Sequence, residues 1–291
     1  MGMADPRYFV VQTCLQRRVT EIYLTTFLNG ISVVTTAQNV PGPLAAARIR
    51  QAGAAVTKIE PPSGDPFLEL SPAWHAEMHV GVSIERLDLK TRDGQARLSA
   101  LLGDTDVLLT SQRPSALARL ELDPDSLRAR FPRLRMLRIV GSVRDPEQPG
   151  HDLTYQAEAG LLGDGMPRTL AADVMTSERA FAGILALLRL PGGSVMDVGL
   201  VESLDPLMAP LRHRLTSAGG TLGGGAPRYG VYKTKSGRIA VAALESHFER
   251  ELYRHLDLPI KSDPSSCFLE RTAAEWEQWA RERGLPIVEV R

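Results

Sequence analysis

From Gly30 onward, short β-branched and aliphatic runs alternate with longer stretches in which apolar side chains recur every three or four positions. Ile31–Val34, Val56–Ile59, Val107–Leu109, Met136–Val140 and Val195–Val198 predict strands. Pro43 to Ala52, the stretch carrying Leu98, Leu101 and Leu102, the segment opened by Asp123-Pro124, and Ser177 to Leu190 predict the intervening helices. Apolar strands separated by amphipathic helices require a parallel sheet covered on both faces, so the fold class is α/β, a Rossmann-like doubly wound parallel sheet.

The pattern changes after Asp205-Pro206. Ser217 to Pro227 holds five glycines, which bury little and bend easily. Beyond it, Tyr229–Thr234 and Arg238–Leu244 flank Lys235-Ser236-Gly237 as a hairpin, and Phe248, Leu252 and Leu256 share one helix face. The expected organisation is therefore an extension over 1–29, a large domain over 30–205, a linker over 206–225 and a smaller α+β domain over 226–291.

Composition narrows the function. The 291 residues are 43% hydrophobic and 23% charged, as in ordinary globular domains. Lys plus Arg and Asp plus Glu each number 34, so no global positive field favours nucleic acid. Cys14 and Cys267 stand far apart with no ligand spacing, which argues against a disulfide framework or a metal site and fits a cytoplasmic protein. The most apolar early stretch is broken by Thr25, Thr26 and Asn29, so neither a signal peptide nor a membrane span is expected.

Several residues carry candidate chemistry, each beside a plainer reading. Pro41-Gly42-Pro43 precedes a helix, yet no G-x-G-x-x-G or Walker lysine accompanies it. His151, in Gly150-His151-Asp152, follows a strand at a place where ligands of doubly wound sheets collect, although a loop histidine is usually solvated. Asp152 reads as the cap of a helix running from Leu153. Asp173 is a carboxylate in a short apolar run just before a helix, where a capping role is the plainer reading. Glu245 lies between the second hairpin strand and the next helix, with capping or solvation as its alternative. Arg113 and Arg119 bracket a short segment after a strand, from which two guanidiniums can grip phosphate.

Pro41-Gly42-Pro43 through Gln51-Ala52-Gly53-Ala54-Ala55-Val56-Thr57-Lys58-Ile59-Glu60-Pro61-Pro62 resembles the opening signature of class III CoA-transferases. Leu87-Asp88-Leu89-Lys90, Arg113-Pro114, Arg119-Leu120, Gly150-His151-Asp152, Ala172-Asp173 and Met196-Asp197-Val198 follow in that family's order. Gly223-Gly224-Gly225-Ala226-Pro227-Arg228-Tyr229, Val241-Ala242-Ala243-Leu244-Glu245 and Phe248 look like its α-methylacyl-CoA racemase branch.

The resemblance implies a large and a small domain in an interlocked homodimer, an acyl-CoA substrate, no metal, and CoA contacts from Arg113, Arg119 and Lys58. It further implies His151 and Asp173 as two bases, with Glu245 supporting His151. Racemising a thioester needs bases on both faces of Cα, and burial can raise a carboxyl pKa towards that of imidazole. An enolate oxygen would draw N–H donors from the helix after Asp173. In the transferase reading Asp173 instead attacks the thioester carbonyl. A non-catalytic CoA-binding relative is the third reading. Two departures bear on it: His79-Val80-Gly81-Val82-Ser83-Ile84 replaces a basic cluster, and Val174-Met175-Thr176-Ser177 replaces a glycine-rich turn. The chain also ends at Pro286-Ile287-Val288-Glu289-Val290-Arg291, where relatives continue towards the large domain, and partner surface is expected to cover that gap.

Overall fold

The computed structural model describes residues 26–163 and 165–291. Most of the expected N-terminal extension, Cys14 included, lies outside the described residues. Two compact units divide after Pro206.

In the first unit the elements run β1 (Ser32–Thr35), α1 (Pro41–Gln51), β2 (Ala55–Glu60), α2 (Phe67–Leu70), α3 (Pro72–Met78), β3 (Ser83–Arg86), α4 (Arg92–Gly103) and β4 (Val107–Thr110). They continue with α5 (Pro114–Arg119), α6 (Pro124–Arg130), β5 (Arg135–Val140), α7 (Asp152–Ala159), α8 (Ala171–Leu187), β6 (Val195–Gly199) and α9 (Leu200–Arg212), within which the division falls. Six strands form one sheet in the order β3-β2-β1-β4-β5-β6, and every pair is parallel. This is the doubly wound order expected from the alternating pattern, and it reverses direction between β1 and β4.

The sheet is buried on both faces because successive strand side chains point to opposite sides. Val33, Val56, Val107, Leu109 and Leu137 pack with Ala45 and Ile49 of α1 and Ala180, Ile184 and Leu187 of α8. Val34, Ile59, Leu108 and Met136 face the other way, onto Leu98 and Leu102 of α4 and Leu117 and Leu127. Gly42 explains the Pro-Gly-Pro start of α1: a Cβ there would lie 2.2 Å from that of Ala37, so only glycine lets the helix begin this close to the end of β1.

β3 has no counterpart in the pattern reading. Its residues Ser-Ile-Glu-Arg are mostly exposed at the sheet edge, so they show no apolar run. Helix α8 begins at Ala171, six residues before the expected Ser177, and this places Asp173 in its first turn. Thr176 and Ser177 are then buried on the packing face of the helix and form no loop. Asp197 pairs with Arg138, its register neighbour on β5, through two 2.7 Å hydrogen bonds.

In the second unit, β7 (Tyr229–Lys233), β8 (Arg238–Ala242), α10 (Ser246–Leu256), α11 (Ser265–Phe268), α12 (Ala273–Glu282) and β9 (Ile287–Glu289) form an antiparallel three-stranded sheet with helices. Ile239, Val241, Leu252, Phe268, Trp276, Trp279 and Ile287 make its core. The segment proposed as a linker, 206–225, contains the end of α9 up to Arg212 and a wide turn at Thr221–Gly225. Among the described residues no helix is long and apolar enough to cross a membrane.

Candidate functional site

Where the strand order reverses, the segments leaving β1 and β4 diverge and open a crevice. Backbone and side-chain bonds knit its floor: Thr36 N–H donates to the carbonyl of Leu109 at 3.0 Å, Gln38 N–H to Ser111 Oγ at 3.1 Å, and Gln112 Nε2 to the carbonyl of Thr36 at 2.6 Å. A cavity over this floor is lined by Gln38, Gln112, Arg113, His151, Tyr155 and Asp173, among others. A second depression shares Gln38 and Gln112 with it, and a third shares Leu89, Lys90 and Leu120 with the second. The three form one trough across the carboxyl ends of β1, β2, β4 and β5.

Two carboxylates meet in the cavity wall. Asp152 is buried, and its Oδ1 accepts the N–H groups of Ala172 at 2.8 Å and Asp173 at 3.1 Å, while Oδ2 accepts Gln156 Nε2 at 2.6 Å. Asp152 thus caps α8, twenty residues away, rather than its own helix. Burial pushes the Asp173 carboxyl up to about 7, helped by the negative charge of Asp152. Around Asp173 three backbone donors are engaged: Asp152 takes the N–H groups of Ala172 and Asp173, and Val174 N–H donates to the carbonyl of Leu170.

His151 is exposed on the same cavity and precedes α7, its N–H donating to Thr154 Oγ1 at 3.1 Å. His151, Asp173 and Arg113 are therefore brought together. Arg119 is not. It lies at the far end of the trough beside Lys90, the last residue of the Leu87-Asp88-Leu89-Lys90 motif, and Arg92, which carries no sequence signal because isolated surface arginines are common. Glu245 belongs to the second unit, where it is exposed and precedes α10 with no side-chain capping bond.

Lys58 does not fit the expected CoA contact, because it is fully buried. Its Nζ lies 2.5 Å from Asp65 Oδ2 and 3.1 Å from Glu60 Oε1, and donates to His79 Nε2 at 2.9 Å. Asp65 Oδ1 in turn accepts the N–H of Asn39, a cavity residue held at φ 63°. The lysine thus fixes a loop of the site from below and presents no charge to a phosphate. Burial lowers the His79 pKa, and its Nδ1 contacts the carbonyl of His75 at 2.6 Å, which leaves Nε2 as the acceptor for Lys58. Glu60, His75 and His79 bring ligand atoms within 4.8 Å of one another, but the ammonium stands where a cation would bind.

The sequence profile of CoA-transferase family III matches residues 28–291. Human alpha-methylacyl-CoA racemase is 31% identical over 290 residues, covering 86% of this chain and 74% of that one. A succinate–glutarate CoA-transferase of Agrobacterium fabrum is 28% identical over 211 residues, covering 62% and 53%. A crystal structure of the Mycobacterium tuberculosis protein Rv3272 superimposes with a TM-score of 0.79 at 24% identity, covering 91% of this chain and 84% of that one.

Proposed function

This chain belongs to CoA-transferase family III, and we propose that it catalyses proton exchange at Cα of a 2-methylacyl-CoA. One observation carries the choice: a carboxyl raised to about 7 shares a cavity with an imidazole. Racemisation needs one group to take the Cα proton and another to return one to the opposite face, and a group serves both roles best when its pKa lies near the working pH. Asp173, raised to about 7, is one such group, and the imidazole of His151 on the same cavity is the other. Glu245, on the second unit, keeps as a proposal the supporting role that the family resemblance implies for it.

The trough supplies a place for coenzyme A. Arg113 stands at its reacting end, and Lys90, Arg92 and Arg119 at the other provide the positive charge for phosphate groups. Arg113 and Arg119 then contact different parts of one extended ligand. The working unit is proposed to be a homodimer.

A second reading rests on Asp173 alone and is favoured by the succinate–glutarate relative. In it the Asp173 carboxylate attacks the thioester carbonyl and expels CoA thiolate, leaving a mixed anhydride. The thiolate attacks the aspartyl carbonyl and releases the first acid as its carboxylate. The added carboxylate then displaces the thiolate from the aspartyl thioester, and the thiolate attacks the new acyl carbonyl to give the new acyl-CoA and free Asp173. Incubation with a single enantiomer of a 2-methylacyl-CoA in deuterated water, with and without an added carboxylate, separates the readings. Deuterium at Cα with inversion supports proton exchange. CoA on the added carboxylate without label supports transfer, and neither product supports a binding protein without turnover.

A further inference from the structure

Both readings place negative charge on the thioester oxygen, in the enolate of proton exchange or in the tetrahedral adduct of transfer. That charge needs a donor in a fixed place. The N–H groups of Ala172 and Asp173 are taken by Asp152 and that of Val174 by the carbonyl of Leu170, so these three do not supply it.

Tyr155 stands one turn after His151 on α7, and its ring is buried in the core cluster with 4% exposure. It nonetheless lines the cavity of His151 and Asp173. Its position is set by two close backbone approaches: a Cβ on Gly141 would lie 2.7 Å from its hydroxyl, and one on Gly150 would lie 2.5 Å from Cζ. Two glycines thus clear the space that the phenol occupies. Among the described residues nothing hydrogen-bonds the hydroxyl. Burial is the main cause of a pKa above the ordinary value; the charge of Arg113 opposes it, and those of Asp173 and Glu158 add to it. The phenol therefore keeps its proton at neutral pH and is a donor lacking an acceptor, next to the proposed bases.

We propose that the Tyr155 hydroxyl donates a hydrogen bond to the thioester carbonyl oxygen of bound acyl-CoA and stabilises the oxyanion formed there. The proton stays on the phenol and no bond to oxygen breaks. The inference rests on the proposed function, in the part common to its two readings.

Tyr155→Phe keeps the ring between Gly141 and Gly150 and deletes only the donor. Turnover should fall about a hundredfold to a thousandfold with little change in KM, a split that a purely packing role would not give. Acetoacetyl-CoA, an enolisable thioester, gives a readout without turnover. Wild type should bind it and develop the ultraviolet band of its enolate, whereas Tyr155→Phe should bind it with little of that band. A variant that retains both rate and band overturns the proposal, as does a wild type that binds the thioester without raising the band. Absence of thioester binding by wild type overturns the proposed function, and this inference falls with it.

Discussion

Asp173 has a pKa of about 7 because burial and the neighbouring Asp152 both disfavour its charge. A raised acid binds its proton more tightly folded than unfolded, so stability is greatest below the unfolded pKa and declines as pH rises towards about 7. Asp173→Asn should therefore stabilise the protein at pH 8, by at most about 4 kcal/mol for a shift of this size, and leave it nearly unchanged at pH 4. Urea unfolding at the two pH values checks the sign. Equal effects at both would show that the carboxyl is not held protonated. Lys58 makes the opposite case of a charge fully met by its neighbours. Lys58→Met strands Asp65 and Glu60 as buried carboxylates and should cost about 3–5 kcal/mol, read from the same unfolding curves. Neither environment is visible in the sequence: Lys58 to Asp65 is a short step along the chain, but the burial around them comes from α3, and the cap that Asp152 gives α8 spans twenty residues.

At the scale of elements, the buried strands were legible because each carries an uninterrupted apolar run, as Val107–Leu109 does. β3 was not, since an edge strand of Ser-Ile-Glu-Arg with solvent on most side chains has neither an apolar run nor a clear alternation. The start of α8 was read too late because Asp173 suggests a cap in sequence, whereas the cap is supplied from α7. The Pro-Gly-Pro signature has a packing origin that only the structure gives. Gly42→Ala would set two methyl groups 2.2 Å apart, so α1 must shift against the end of β1. The expected cost is roughly 1–3 kcal/mol, together with weaker binding in the trough beside Pro41. Thermal unfolding and a CoA titration measure the two, and a variant of wild-type stability would refute the close approach.

Over the whole molecule, the candidate chemistry divides between two units: His151, Asp173 and Arg113 on the first, Glu245 on the second. His151, Asp173 and Arg113, which the order of short motifs singles out, line one cavity, whereas Lys58 of the opening signature is buried; Lys90 stands in a motif, and Arg92 and Tyr155 carry no signal of their own. Sedimentation should find the proposed homodimer at micromolar concentration, and a monomer throughout would remove it. The account stands or falls on two bases acting from opposite faces of one carbon, and the most direct measurement is deuterium uptake at Cα by each enantiomer of a 2-methylacyl-CoA, in His151→Ala and in Asp173→Asn. Each variant should lose about a hundredfold to ten-thousandfold of exchange, His151→Ala chiefly for one enantiomer and Asp173→Asn chiefly for the other. Loss of the same enantiomer in both variants, or full exchange by Asp173→Asn, would contradict it.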